Sequence, residues 1–271
     1  MMRSMFTRTL IGLGAVTMLL GAVPANAQTT LQAGDLIKTS AAPSVYYFGA
    51  DGKRYVFANS KTYFTWYAGF TGVKTITIDQ MGGIMIGGNV TYKPGVKMVK
   101  IDTDPKVYAV SKNGILRPIG SEAVAAALYG ANWNKMIDDV PDAFFVNYHV
   151  GAAVNVAADY DKAVFAAAVP SINVDKLLVN PPAGFVDFRQ TSGFVPSAMT
   201  VNAGTKVTWI IMDNSLPFVA SDPHPTHTDL PGLSSGTLGM GATYGFVFSQ
   251  VGTWGYHDHN APTFTGSITV K

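Results

Sequence analysis

The sequence predicts a mainly β chain, in which an α+β domain of two hairpin–helix repeats precedes a C-terminal β-sandwich. Composition points that way: only 13% of the 271 residues are charged, while 28 are glycine and Tyr, Phe and Thr are plentiful. Beyond Ala183, short β-branched and aromatic runs alternate with turn residues, the spacing of a sandwich. Before Gly151 the chain repeats itself at an offset of 62 residues, with Pro43, Val45, Tyr46 and Gly52 falling on Pro105, Val107, Tyr108 and Gly114.

Residues 1–27 read as a secretory signal peptide. Arg3 and Arg8 supply the positive start, Leu10 to Val23 the apolar stretch, and Ala25-Asn26-Ala27 the small residues at a cleavage site. Cleavage would leave Gln28 first, and the chain is expected in the periplasm, at the cell surface or outside the cell. Without Arg3 and Arg8, 17 of the 19 basic residues remain against 17 acidic ones, so the mature chain is neutral. A neutral chain with no basic patch has no electrostatic reason to hold nucleic acid or anionic lipid. No later segment is long and apolar enough to span a membrane. The chain has no cysteine, which excludes disulfides, thiolate–zinc sites and iron–sulfur clusters.

The α+β domain is expected over residues 28–150. Asp51-Gly52 and Asn113-Gly114 are hairpin turns, because such turns need positive φ. Ser121-Glu122 opens a helix over Ala123 to Tyr129 that Gly130 ends, and the matching stretch from Asn59 to Gly69 is an aromatic-rich, weaker helix. Tyr46, Tyr47, Tyr55 and Tyr108 read as core and cross-strand pairs. Residues 151–182 turn to Ala and Val and read as a linker segment, with Asp161 to Val169 open between helix and strand. Asn180-Pro181-Pro182 marks the boundary, and 183–271 forms the sandwich. Its strands are predicted over Thr205 to Met212, Thr243 to Phe248, Gly252 to Tyr256 and Thr265 to Val270.

Four of the five histidines lie in two tight clusters, His224-Pro225-Thr226-His227 and His257-Asp258-His259. On an extended chain residues i and i+2 share a face, so His257 and His259 can reach one ion. Pro223 and Pro225 stiffen the other loop. Imidazole sets suit copper, with zinc the second choice, and among divalent first-row ions copper binds most tightly. The expected site is therefore a mononuclear all-histidine centre of His224, His227, His257 and His259, or three of them, at the sandwich end. Asp222, Asp229 and Asp258 are candidates to orient the rings. Met212 and Met240 are weaker soft-ligand candidates, and His149 stands apart.

These residues carry a resemblance. Val207-Thr208-Trp209, Gly241, Gly252-Thr253-Trp254-Gly255-Tyr256 and Gly266-Ser267-Ile268-Thr269-Val270 are similar to a cupredoxin domain, which implies a Greek-key sandwich. The family's Cys, His and Met ligands fall here on Asp258, Ala261 and Phe264, and Phe218 stands near its upstream His, so the blue-copper set is absent. Tyr256-His257-Asp258-His259 and His224-Pro225-Thr226-His227 resemble instead the copper-binding runs of multicopper oxidases. Those enzymes need several such domains and a cysteine, so oxidase activity does not carry over. The repeat over residues 31–150 resembles repeats of exported bacterial proteins, and its aromatics are candidates for contact with cell wall or surface components. An all-imidazole copper site without a thiolate suits metal capture, delivery or slow redox work in an exported protein. A small copper-dependent oxidoreductase and a metal-free adhesion module remain open beside it.

Overall fold

A computed structural model describes residues 28–271, and the expected signal peptide lies outside the described residues. The strands β1 (Leu36–Thr39), β2 (Tyr46–Phe48) and β3 (Arg54–Phe57) form an antiparallel meander. Gly52, at φ 74°, makes its second turn. Tyr47 faces Tyr55 across the strands, and both are buried, as is Tyr108 in the second unit; Tyr46 is half-buried. Next come α1 (Ser60–Trp66), whose N-cap Asn59 accepts from the Thr62 amide, β4 (Lys74–Ile76), α2 (Ile78–Gly82) and β5 (Ile86–Val90). Parallel pairing of β4 on β1 and β5 on β3 gives the order β4-β1-β2-β3-β5.

A second sheet follows from β6 (Met98–Ile101), β7 (Asp104–Ser111), β8 (Ile115–Pro118), β9 (Ile137–Val140) and β10 (His149–Val150). Its order is β9-β6-β7-β8-β10, with β9 parallel to β6 and β10 parallel to β8, the same arrangement strand for strand. Asn113 (φ 58°) and Gly114 (φ 67°) both adopt the left-handed conformation that the turn between β7 and β8 needs. Between β8 and β9, α3 (Glu122–Tyr129) starts at Ser121, which accepts from the Val124 amide, and stops at Gly130. The short α4 (Asp142–Phe145) precedes β10.

The 151–182 segment, expected as a linker, is packed against both halves. Asp161 caps α5 (Lys162–Ala168), so the stretch left open between helix and strand is helical, and Ser171 caps α6 (Ile172–Asp175). Phe165 and Ala168 join an apolar cluster with Ile115, Val154 and Ile210, and Ile172 packs beneath the first sheet with Tyr47, Tyr55 and Tyr63. Their apolar surface is what holds the segment down.

The C-terminal part consists of β11 (Phe185–Arg189), β12 (Gly193–Val195), β13 (Ala198–Val201), β14 (Thr205–Ile211), β15 (Phe218–Ser221), β16 (Ser234–Thr237), β17 (Thr243–Phe248), β18 (Gly252–Asp258) and β19 (Thr265–Val270). They make two sheets, β12-β11-β14-β17 and β13-β19-β18-β15-β16. Alternation along β14 explains its apolar sequence. Val207, Trp209 and Ile211 fill the core between the sheets, while Ile210 and the following Met212 join the cluster shared with the N-terminal half. Met240 lies in that shared cluster too, so both methionines weighed as soft ligands serve as packing. The strand expected to end at Tyr256 continues to Asp258, because β15 pairs with it through Ala220–His257 and Val219–Asp258.

Candidate metal centre

The pleat of β18 decides where the rings go. Trp254 and Tyr256 pack into the sandwich core, so Gly255 and His257 point to the opposite face of the sheet. His259 follows two residues on, its amide donating to the Phe218 carbonyl at 2.7 Å. The histidines therefore meet on the outer face of the β18 sheet, where β18 ends at Asp258.

A loop from β15 covers that face. It is tied to β18 where the Asp222 amide donates to the Gly255 carbonyl at 3.1 Å, and closes on itself where the Asp229 amide donates to the Asp222 carbonyl at 2.9 Å. The Ser221 hydroxyl accepts from the Leu230 amide at 2.9 Å. Within the loop the His227 amide donates to the Pro223 carbonyl at 2.8 Å, and His227 has a φ of 53°. This turn brings His224 and His227 back over β18.

All four rings converge. The His224 centroid lies 5.3 Å from that of His257 and 5.0 Å from that of His259, and the His227 centroid lies 5.2 Å and 4.8 Å from the same two. One ligand nitrogen from each of His224, His257 and His259 lies within 4.8 Å of the others. His227 is outside that trio, yet its Nε2 is 3.1 Å from His259 Nδ1. Two nitrogens bound to one ion at about 2.0 Å stand roughly 3 Å apart, so this spacing equally suits the edge of a coordination polyhedron. Phe218 closes one side, its ring 5.1 Å from that of His259. His224 is exposed, which leaves the opposite side open to solvent.

The chemistry of the donors fits a metal. His257 is 1% exposed, and its Nδ1 lies 2.6 Å from Asp222 Oδ1, a contact that holds the proton on Nδ1. Its Nε2 is then a bare lone pair, buried and without a hydrogen-bond partner among the described residues. A buried acceptor left unsatisfied is costly, and a cation removes that cost. Burial, followed by the neighbouring charges of His257, His259 and His224, holds the His227 ring below its usual value, against the opposing pull of Asp222. That favours the neutral imidazole that ligation needs.

Of the three expected orienting carboxylates, only Asp222 serves. Asp258 is buried on the inward side of the pleat, and its Oδ1 accepts from the Phe218 amide at 2.9 Å and the Asn260 amide at 3.0 Å. It fixes the loop backbone and reaches no ring. Asp229 is exposed and contributes through its backbone amide. His149 is exposed on β10, in the other half of the chain. Sequence reasoning missed the part played by Gly255: a Cβ there would overlap the Asp222 carboxylate, so its bare backbone is the seat on which Asp222 rests. The glycine was visible in the sequence, but the loop that lies over it was not.

No family model matches the chain, and no curated protein matches it. Among solved structures it is similar to the purple cupredoxin from Nitrosopumilus maritimus, at 21% identity over 33% of this chain and 100% of that one, with a TM-score of 0.30. It is also similar to a reduced Cu(I) form of an amicyanin variant, at 22% identity over 34% and 86% of the two chains, with a TM-score of 0.29.

Proposed function

We propose that this is an exported copper-binding protein whose β-sandwich holds a mononuclear, all-histidine, non-blue centre. His257, His259, His224 and His227 would hold the ion, with Asp222 fixing the ring of His257. The observation that carries the reading is the bare, buried Nε2 of His257 aimed into a set of three further imidazoles. A bound copper would supply a one-electron couple and a Lewis acid, and zinc only the latter. Without a thiolate the centre suits capture, delivery or slow redox work better than fast electron transfer. The exposed edge at His224 favours exchange of the ion with solvent or a partner. We read the crossings between the two sandwich sheets as a Greek key, and the two five-stranded sheets of the N-terminal half as copies of one repeat. Contact with cell wall or surface components would use the exposed Phe64, on α1, and Phe70, in the turn that follows it.

Titration of the metal-free mature protein with Cu(II), followed by electron paramagnetic resonance, tests the function. One equivalent should bind with nitrogen hyperfine structure and without the intense colour of a thiolate centre. His257→Ala and His227→Ala should each lose that signal. Absence of stoichiometric copper or zinc uptake by the folded protein means the reading is wrong. Turnover of a redox substrate by the loaded protein would favour the alternative, a small copper oxidoreductase.

A further inference from the structure

A second cluster of reactive side chains lies away from the histidines, where the second sheet meets the sandwich. Lys112, in the turn between β7 and β8, is 0% exposed, and Asp187, in the middle of β11, is 3% exposed. Lys112 Nζ and Asp187 Oδ2 are 2.5 Å apart. As an ion pair this is poorly built. An ammonium carries three donors, and Asp187 Oδ2 is the acceptor found for them among the described residues. Asp187 Oδ1 is buried and has no hydrogen-bond partner there. Burial pushes the Lys112 amine down and the Asp187 carboxyl up, each against the pull of the other. Both trends favour a free amine facing a neutral carboxyl, which is a nucleophile facing an electrophile.

A third group completes the set. Asp175, at the end of α6, is fully buried and accepts from the amide of Asn113, next to Lys112, at 2.8 Å and from the Thr91 hydroxyl at 3.2 Å. Its charge acts on Lys112, and burial raises its own carboxyl. It therefore acts on the amine through its charge, which favours the positive nitrogen that forms as the amine attacks.

We propose that Lys112 and Asp187 join in an intramolecular isopeptide bond, formed without any other enzyme once the chain has folded. Lys112 Nζ attacks Asp187 Cγ, forming the C–N bond. One carboxyl oxygen leaves with its own proton as its C–O bond breaks, and one proton released by the amine converts it to water. Nothing is oxidised or reduced. The product exchanges two buried, under-bonded groups for a neutral amide. In a chain without cysteine it would be a covalent cross-link that needs no oxidant, closing a loop of 75 residues between the N-terminal half and the sandwich.

Tryptic peptide mapping of the denatured full-length protein by tandem mass spectrometry tests this. The expected result is one branched peptide carrying Lys112 and Asp187, lighter than its two parts by one water, with no cleavage after Lys112. Asp175→Asn, nearly isosteric, should leave the protein folded by circular dichroism while the branched peptide falls at least tenfold. Recovery of Lys112 and Asp187 in separate linear peptides from the wild-type protein overturns the proposal, and needs no variant to fold. A branched peptide undiminished in folded Asp175→Asn overturns the role of Asp175.

Discussion

At the scale of single residues, Asp222 and Gly255 fit His257 to be a ligand of the proposed centre. Asp222 determines which nitrogen of His257 is bare, and Gly255 gives Asp222 the room to do so. Asp222→Ala should lower copper affinity about 10–100-fold, as expected when a carboxylate behind a ligating imidazole is lost. Gly255→Val should do at least as much, because it displaces the same carboxylate. Isothermal titration with far-ultraviolet circular dichroism checks both, and unchanged affinity in either folded variant contradicts the assignment. Acid acts on the same rings. Since the folded protein holds His227 below its usual value, the unfolded chain binds more protons there. The metal-free protein gains full stability from this residue above about pH 6.5, the unfolded value, and loses it as pH falls through and below that point. Copper binding should weaken over the same range, because each proton competes for a lone pair. A pH series of denaturant melts and titrations measures both, and an affinity flat from pH 8 to 5 contradicts all-histidine ligation.

At the scale of elements, β14 is the strand on which both halves depend. Trp209 stacks on Tyr244 at 5.7 Å and meets Tyr256 edge-on at 5.2 Å, while the next residue, Ile210, faces the other way into the shared cluster. Trp209→Ala should cost about 3–5 kcal/mol by opening a cavity. Urea denaturation reads this directly, and a loss under 1 kcal/mol would show that the core is not packed around this ring. Much at this scale was legible. Thr205 to Met212 announced a strand through its β-branched residues, and Ser121 with Gly130 bracketed α3. The stretch from Asp161 to Val169 was ambiguous because its alanines suit either period. What decides it is Asp161, whose carboxylate accepts from the Ala163 and Val164 amides, and the burial of Phe165. The four histidines were legible as a set, since the spacing of His257 and His259 demands a shared face. Which face was not legible, because that depends on how the 222–229 loop returns across β18. The same limit hid the backbone role of Asp258 and the packing roles of Met212 and Met240.

At the scale of the whole molecule, the two halves share their core. Ile115 and Val154 from one side pack with Ile210, Met212 and Met240 from the other. Arg117, 2% exposed, donates across the same seam to the Gly241 carbonyl at 2.9 Å, and on its own side to the carbonyls of Ala153 at 3.1 Å, Ala152 and Asp159. Breaking such a buried guanidinium, held by four carbonyls, is strongly unfavourable. The halves should therefore unfold together, in one calorimetric transition whose midpoint moves when copper is bound. Two separate transitions, with copper moving only one of them, would contradict a shared core.

The central claim is that the two histidine loops share one ion. X-ray absorption at the copper edge of the loaded protein tests it most directly. An ion shared by the two loops gives a first shell of nitrogen or oxygen at about 2.0 Å, with outer-shell scattering from at least three imidazoles. Sulfur in the first shell, or fewer than three imidazoles around the metal, would contradict it.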